Sequence, residues 1–482
     1  MRRVSTSLLL LLVTVGIYHS YKPLPEGLSY QGQPRVARDV EFFADLTYVD
    51  SHQSGSSEPD RTDRQFQQSI FDEIFAMIDS AERFLLVDMF LFNDFQGAAA
   101  ERHRVLSTEL TRHLIAQKQK HPGMQILLIT DPFNRLYGGL EPGHFSELEA
   151  EGISVTYTKL TALQDSNLIY SPIWRSFISY WGNDTGSLLP NPVGQGRVSI
   201  RTYLSLLNFK ANHRKVVVAD QGNQYVGLVT SANPHDGSSA HSNVALRFSG
   251  PAVADLLESE IAVLKMSGGP EPEIELEPQE LNDDLSKDST LEIVTEGAIE
   301  YALLDSINAT EADDRLDIAV FYLSDRKIMH ALKEAYQRGV DMRVLLDPSK
   351  DAFGRTKNGI PNRQTAYELQ SIGVPVRWCD THGEQCHSKL LLAQFARGEA
   401  HLILGSANFT RRNLDDLNLE TSVRYMASSE SDVIQKVDAW FEMRWSNLDG
   451  RQFSVDYEVY ADESWWRRIT YRLMEATGAS TF

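Results

Sequence analysis

Two histidines in this sequence are each followed, two positions later, by a lysine at the start of an apolar run. His213 and Lys215 precede Val-Val-Val-Ala, and His387 and Lys389 precede Leu-Leu-Leu-Ala. Because side chains in a β-strand alternate between its faces, each histidine shares a face with its lysine. The lysine supplies positive charge for an anionic oxygen, and the histidine supplies a nucleophile or a proton. Each pair therefore predicts a site for an anionic substrate group.

A second polar element follows each pair at nearly the same distance along the chain. Ser231 and Asn233 end one apolar strand, and Ser406 and Asn408 end another. Side chains of this kind donate hydrogen bonds to phosphoryl oxygens. We therefore expect these four residues to bind the substrate.

The elements around these residues occur twice. Each half has an apolar strand that runs into a turn, and then a strand that stops at Asp-Pro, with Asp131 in one half and Asp347 in the other. A helix end with a glycine C-cap follows in each half, at Gly152 and Gly373. Strands that alternate with amphipathic helices predict an α/β fold in two related halves.

Composition shifts divide the chain further. A polar, acidic stretch between the halves is typical of a linker. Two arginines before a short apolar run at the N-terminus indicate an export signal or an uncleaved anchor. Both readings predict an exported body, either periplasmic or anchored to the membrane by the N-terminus. The expected segments are a signal peptide or anchor at 1–20, the first half at 36–266, the acidic linker at 267–287, the second half at 288–450 and a C-terminal tail with an amphipathic helix at 451–482.

The overall charge restricts the kinds of partner. The 482 residues carry a formal net charge of −20, with 66 acidic against 46 basic residues. Nucleic-acid binders usually carry a basic excess, so no nucleic-acid partner is expected. The two cysteines, Cys379 and Cys386, form either a small disulfide loop beside His387 or two free thiols.

Two aromatic segments bear on the substrate. Between Gly152 and His213 the first half contains an insertion that suits either a lid or substrate wall or local helix packing. Its aromatic residues are Tyr170, Trp174, Phe177, Tyr180 and Trp181. In the tail, aromatic and aliphatic residues are mixed with three arginines from Trp465 to Arg472, which suits either a lipid headgroup interface or docking on the chain's own domain.

The pattern H-x-K-(x)4-D followed by G-S-x-N, present twice, resembles the phospholipase D superfamily. The Asn-His-Arg-Lys run around His213 is similar to the cardiolipin-synthase-like bacterial members. The resemblance covers both halves and implies two α/β/α sandwiches packed about a pseudo-twofold axis, with the site between them. It implies that one histidine forms a phosphohistidine while the other moves protons. Lysines and asparagines would hold the phosphoryl oxygens, without a metal or other cofactor.

The sequence departs from the family pattern in three places. Gln394 stands where the second motif has aspartate, Thr230 stands where the first S-x-N has glycine, and Asp220 lies farther from Thr230 than usual. Asp220 and Gln394 lie on the strand face opposite the histidines, so we interpret them as orienting or supporting residues.

A carboxylate follows the second motif only. Glu420 is expected to orient His387 and make it more basic, while Ala245 occupies the corresponding place in the first half. This argument favours His387 as the nucleophile, whereas family habit favours His213, so the two roles remain open.

The leading hypothesis is a phosphodiesterase or phosphatidyltransferase that acts on a phospholipid at a membrane surface. One chain supplies both halves, so a monomer is expected. An exported nuclease with the same chemistry is the first alternative. A lipid- or phosphate-binding protein without turnover is the second, motivated by Thr230, Ala245 and Gln394.

Overall fold

The computed structural model describes residues 2–50, 64–96, 104–274, 276, 289–352 and 355–478. The predicted linker at 267–287 lies mostly outside the described residues. Up to residue 267 the helices and strands are α1 (Arg2–Tyr21), β1 (Arg35–Val36), β2 (Arg38–Ala44), β3 (Leu46–Asp50), β4 (Arg64–Gln67), α2 (Ile70–Ser80), β5 (Phe84–Met89), α3 (Leu106–Lys120), β6 (Gln125–Thr130), α4 (Gly143–Ala150), β7 (Ser154–Tyr157), α5 (Ser171–Ile173), β8 (Leu189–Pro190), β9 (Arg197–Val198), α6 (Ile200–Leu206), β10 (Lys215–Gln221), β11 (Gln224–Thr230), β12 (Val244–Ser249) and α7 (Ala252–Ser267).

The second part of the chain repeats this alternation. Its helices and strands are β13 (Thr290–Thr295), α8 (Gly297–Asn308), β14 (Arg315–Val320), α9 (Arg326–Gln337), β15 (Asp341–Leu346), β16 (Asp351–Ala352), β17 (Arg355–Thr356), α10 (Asn362–Gln370), β18 (Val376–Cys379), β19 (Lys389–Gln394), β20 (Glu399–Gly405), α11 (Arg411–Leu414), β21 (Thr421–Ser428), α12 (Asp432–Ser446), β22 (Arg451–Gln452), β23 (Ser454–Asp456) and α13 (Trp465–Thr477).

Two large mixed sheets have the same central topology. The first sheet has the order β2-β12-β11-β10-β5-β6-β7, and the second contains β13-β21-β20-β19-β14-β15-β18 in the matching order. In each sheet three strands run parallel, β5-β6-β7 and β14-β15-β18, and the other pairings in these matching orders are antiparallel. The repeat read from the sequence is thus a structural repeat, and the predicted fold of two related α/β/α halves is confirmed.

Alternation along the strands gives each sheet two apolar faces. In β10, Val216 and Val218 join the central core, while Val217 and Ala219 pack with α2, α3 and α4 on the outer side. The second sheet packs its outer face against α8, α9 and α10 in the same way. The central core combines the inner faces of both sheets with α7 and α12. Residues buried on both sides explain why the strands are nearly continuous apolar runs.

The predicted helix ends are also present. Gly152 and Gly373 have φ of +80° and +99° after α4 and α10. A left-handed residue at this position lets the chain leave the helix, and glycine adopts it without strain.

The two halves exchange strands at their edges. Residues 35–36 form β1 on the second sheet before the chain enters β2 of the first. In the tail, β22 pairs with β3, and β23 extends the second sheet next to β18. These crossings mean that the two halves are not independent along the chain, and they contribute to holding the interface between the halves in register.

The N-terminal helix lies against the aromatic insertion. The backbone N–H of Asp165 donates to the carbonyl of His19 at 2.9 Å. A side chain at Gly16 would meet Pro172 at 3.0 Å, which shows how closely α1 approaches α5. Within the described residues, no helix combines the length and apolar character that crossing a membrane requires.

Candidate active site

Both histidines lie where the halves meet, in extended segments just before β10 and β19. His213 N–H donates to the carbonyl of Leu419 at 2.8 Å, and His387 N–H donates to the carbonyl of Ser242 at 2.8 Å. Each segment is therefore paired with the loop that precedes β21 or β12 of the other half. This reciprocal pairing brings the two predicted histidines to one interface.

The aspartates of the repeated Asp-Pro motif accept backbone hydrogen bonds from these segments. Asp131 Oδ2 accepts the backbone N–H of Asn212 at 2.6 Å, and Asp347 Oδ2 accepts that of Cys386 at 2.8 Å. The Asp-Pro repeat thus fixes the residue immediately before each histidine. Burial raises the pKa of Asp131 to about 7, although its hydrogen bonds from the backbone oppose this change.

Glu420 contacts His213, not His387. Its carboxylate lies 2.9 Å from His213 Nδ1 and also accepts hydrogen bonds from Ser406 Oγ and Asn413 Nδ2. The expected pairing of Glu420 with His387 is therefore wrong. The cause is the twofold packing, which presents the loop before β21 to the first half rather than to its own.

His387 has an amide partner from the first half. Its Nδ1 lies 3.1 Å from Asn243 Oδ1. Asn243 occupies the place that Glu420 has in the other half, directly before the strand. Ala245, which the sequence comparison of the two halves placed there, pairs with Thr230 inside the sheet. The comparison of the two halves by sequence was shifted by two residues, because the loop between Ser231 and β12 is shorter than the loop between Ser406 and β21.

The contact with Glu420 defines the protonation of the His213 ring. Burial lowers the pKa of His213 to about 4, although Glu420 acts in the opposite direction. Burial opposes ionisation of Glu420, but His213 and Lys215 outweigh it, so the pKa of Glu420 lies below its ordinary value. A neutral His213 therefore donates its Nδ1 proton to an ionised carboxylate, and Nε2 keeps a lone pair.

The two lysines occupy equivalent positions beneath aromatic rings. Lys215 Nζ donates to the carbonyl of His213 at 2.6 Å, and Lys389 Nζ donates to that of His387 at 2.7 Å. Each ammonium lies 5.2 Å from the centroid of a phenylalanine ring, Phe90 or Phe321. Burial lowers the pKa of Lys215 to about 7 and holds the pKa of Lys389 well below its ordinary value. An anion bound between them would supply the missing counter-charge.

The serines and asparagines of the second motif divide into two groups. Ser231 Oγ donates to Asn243 Oδ1, and Ser406 Oγ donates to Glu420, so these hydroxyls position the partners of the histidines. Asn233 Oδ1 accepts the N–H of Leu91 at 3.2 Å. Asn408 Oδ1 is buried without a partner in the described part of the chain. Because an amide oxygen only accepts hydrogen bonds, binding of a phosphoryl oxygen by Asn408 would use its Nδ2.

The three departures from the family pattern lie away from the reacting groups. Asp220 accepts the backbone N–H groups of residues 82–84 and a contact from Arg83, at the far end of β10. Gln394 Nε2 donates to Asp438 at 3.2 Å at the matching end of β19. Thr230 is buried, and its hydroxyl bonds to the carbonyl of Val244 at 2.9 Å. All three side chains support the strands rather than the histidines.

The two cysteines form a disulfide directly before His387. The buried guanidinium of Arg444 packs on it, with Nη2 2.8 Å from Cys386 Sγ, and reaches Ser388 Oγ at 3.3 Å. Of the two possibilities open in the sequence, the structure contains the bridge.

A buried ion cluster lies next to His213 and its partner Glu420. Arg214 Nη1 lies 3.0 Å from Glu260 in α7, and Nη2 lies 2.7 Å from Glu296. Glu296 also accepts the backbone N–H of Glu420 at 3.0 Å. Arg214 therefore connects the segment of His213 to the loop that carries its partner.

Several of these residues escaped sequence reasoning. Phe90 and Phe321 directly follow matched strands, so the repeat could have identified them as equivalent residues. Asn243 carried none, because its role depends on the other half. His241, whose ring centroid lies 5.7 Å from that of His387, was hidden for the same reason.

Residues 303–445 match the family model described as cardiolipin synthase, PLD-like domain. This segment is similar to a phospholipase D-like domain. The resemblance predicted from the two motifs is thereby confirmed. No curated protein sequence matches the chain.

Solved structures share the fold at low sequence identity. Phosphatidylserine synthase from Haemophilus influenzae Rd KW20 superposes with a TM-score of 0.58 at 9% identity, covering 92% of this chain and 95% of that chain. Polyphosphate kinase from Porphyromonas gingivalis gives 0.46 at 10% identity, over 91% and 53%. Nuc from Salmonella typhimurium, a phospholipase D family member, gives 0.27 at 17% identity, over 34% and 98%. The first superposition shows that this chain shares its fold with that protein over 92% of its length.

Proposed function

We propose that this protein is a phosphodiesterase or phosphatidyltransferase that acts on phospholipids through a phosphohistidine intermediate. One observation carries the proposal. Two histidines from different halves meet at one interface, and each has its Nδ1 bound by a partner from the opposite half. This arrangement leaves both Nε2 atoms for chemistry at a single phosphorus.

The partners of the two rings support one of the two assignments of roles that the sequence left open. An ionised carboxylate at Nδ1 increases the electron density on Nε2 and stabilises the positive charge that develops on attack. His213 has such a partner in Glu420, so His213 is the nucleophile. His387 then protonates the leaving alcohol and later takes a proton from water or an acceptor alcohol.

The lysines and Asn408 hold the phosphoryl oxygens. The phosphodiester anion draws protons onto Lys215 and Lys389, which restores their charge where the transition state needs it. Asn408 and Asn233 lie at the ends of the matching strands and contribute amide donors.

Three observations favour a lipid over a nucleic acid. The second half matches a domain described for cardiolipin synthase, and the protein that superposes over nearly the whole chain is named a phosphatidylserine synthase. The net charge of −20 repels a long polyanion. Helix α13 and the insertion also carry exposed apolar side chains.

We call this exposed set the aromatic rim. Its members come from α13 and the insertion, and each is more than half exposed: Trp465, Trp466, Ile469, Leu473, Ile169, Tyr180 and Trp181. The two segments touch, because Leu168 N–H donates to the carbonyl of Thr477 at 3.4 Å. Amphipathic surfaces with tryptophan suit the headgroup region of a bilayer.

Helix α13, which carries part of the aromatic rim, packs near the histidines through its buried face. Tyr471 of α13 is fully buried in a cluster with Phe321 and Tyr322. The Phe321 ring lies 5.1 Å from the ring of His387. We therefore propose that the protein works as a monomer at a membrane surface that presents the scissile headgroup to the site.

We further propose an exported location, periplasmic or anchored to the membrane by the N-terminus. The arginines before the apolar run of α1 and the disulfide both support it, because disulfides persist in oxidising compartments.

The test measures headgroup release and product lipids from phosphatidylglycerol and phosphatidylcholine vesicles without added metal. We expect turnover by the unmodified protein, and loss of it in His213→Ala and in His387→Ala. The products then distinguish hydrolysis from transfer to an alcohol. Absence of lipid turnover together with salt-dependent cleavage of DNA would favour a nuclease, and silence on both substrates would favour a binding protein.

A further inference from the structure

The amide of Asn243 has a fixed orientation. Its Nδ2 donates to the carbonyl of His241 at 3.0 Å, and its Oδ1 accepts from Ser231 Oγ at 3.1 Å. A peptide carbonyl can only accept a hydrogen bond, so the amide cannot be turned round. The oxygen therefore faces His387, whose Nδ1 must carry a proton, and Nε2 is the nitrogen that titrates.

The same network surrounds Glu420, with one chemical difference. Ser231 Oγ accepts the N–H of Val244 at 3.0 Å, and Ser406 Oγ accepts the N–H of Thr421 at 3.0 Å. Each serine then donates to the residue that binds a histidine. The two halves are thus matched down to the supporting hydroxyl, and they differ in whether the histidine meets a carboxylate or an amide.

Four basic groups, each positively charged when protonated, lie near His387. They are Lys389 on its own strand, His241 from the loop before β12, and Lys215 and His213 from the first half. Burial, reinforced first by Lys389 and then by the other three groups, holds the pKa of His387 well below its ordinary value.

We propose that Asn243 is the positioning residue of His387, and that its lack of charge makes His387 the general acid of the pair. This inference rests on the proposed function and adds an asymmetry to it. A carboxylate would stabilise the imidazolium of His387, whereas the amide orients the ring without doing so.

In the first step the lone pair of His213 Nε2 forms a bond to phosphorus, and the bond from phosphorus to the leaving oxygen breaks. The leaving oxygen takes the Nε2 proton of the His387 imidazolium, and His387 becomes neutral with Nδ1–H still on Asn243. In the second step the oxygen of water or an alcohol forms a bond to phosphorus, the bond from phosphorus to His213 Nε2 breaks and returns its lone pair to His213, and His387 Nε2 accepts the proton of the attacking water or alcohol.

A pH profile with two leaving groups tests this inference. The first substrate is phosphatidylglycerol, whose alcohol needs a proton to leave. The second is phosphatidyl-p-nitrophenol, whose phenolate leaves without one. For the unmodified protein, we expect kcat on phosphatidylglycerol to fall as the pH rises from 5 to 8, and kcat on the p-nitrophenyl ester to change little. A decrease in kcat that is the same for both esters would be caused by deprotonation of Lys215 and Lys389.

Two variants sharpen the test. Asn243→Asp should move the falling limb for phosphatidylglycerol to higher pH by about one unit, because a negative charge at Nδ1 favours the imidazolium. Asn243→Ala should lower kcat on phosphatidylglycerol by about tenfold without moving the limb, because the ring loses its orientation.

The outcomes separate this inference from the proposed function. Turnover of both esters with identical pH profiles would overturn the role of His387 as the acid. A folded Asn243→Asp protein with an unmoved limb would overturn the role of Asn243. If this variant does not fold, the comparison of the two esters with the unmodified protein still decides. Failure to turn over either ester would overturn the proposed function and this inference with it.

Discussion

At the scale of single residues, the site depends on what lies behind each reacting group. His213 and His387 have the same backbone setting, yet one meets a carboxylate and the other an amide. The lysines are equally dependent on context. Burial lowers the pKa values of Lys215 and Lys389, so we expect both to gain their full charge when an anion occupies the site.

This dependence predicts proton uptake on anion binding. Glycerophosphoglycerol, a phosphodiester monoanion, should bind His213→Ala protein more weakly as pH rises from 6 to 9. At pH 8, above the pKa of about 7 for Lys215, binding should take up protons. Calorimetry in two buffers with different heats of ionisation measures this uptake. Lys389→Met should reduce it, and an affinity independent of pH with zero uptake would show that both lysines are already charged in the empty site.

At the scale of elements, strand ends and loops carry the site. Sequence reasoning predicted β5, β6, β10, β11 and their counterparts, because buried strands are apolar runs and Asp-Pro or glycine marks their ends. It could not predict the partner of either histidine. Asn243 and Glu420 reach across the interface, and the docking of two surfaces leaves no local periodicity in the chain. The register error at Ala245 has the same origin, since only the structure shows which residue precedes the strand.

The buried ion cluster gives a prediction at this scale. Arg214→Met leaves Glu260 and Glu296 without their cation inside the protein. The free energy of unfolding should fall by about 3–5 kcal/mol, because removal of one partner leaves an uncompensated buried charge. Denaturant unfolding measures this loss.

A matched control comes from the same half. Arg83→Met removes a half-exposed arginine from Asp220, and such pairs contribute about 1 kcal/mol or less. Equal losses for the two variants would mean that the Arg214 cluster does not connect the halves as described.

At the scale of the whole molecule, the twofold fold and the aromatic rim act together. The interface between the halves contains the site, and α13 packs Tyr471 against Phe321 beside it while its other face carries exposed apolar side chains. The tail was expected either to dock on its own domain or to meet a membrane. Its helix has a face for each, since Tyr471 is buried while Trp466 is 59% exposed.

The aromatic rim predicts that membrane action and chemistry can be separated. A Trp465→Ala, Trp466→Ala double variant should turn over phosphatidylglycerol in vesicles roughly tenfold more slowly, because two indoles no longer enter the interface. Turnover of monomeric short-chain phosphatidylglycerol should not change. Tyr301→Ala, which removes a 66% exposed side chain from α8, is the control. A loss shared by vesicles and monomers would contradict a docking role.

The central claim is that His213 is the nucleophile, and the most direct test is to find the covalent intermediate. The His387→Ala protein is mixed with phosphatidyl-p-nitrophenol, quenched in alkaline denaturant and digested for peptide mass spectrometry. Because the leaving group needs no acid and the second step lacks its base, we predict that the phosphatidyl group accumulates on the peptide that contains His213. A phosphatidyl group elsewhere, or p-nitrophenol release beyond one equivalent with no covalent adduct, would contradict the account.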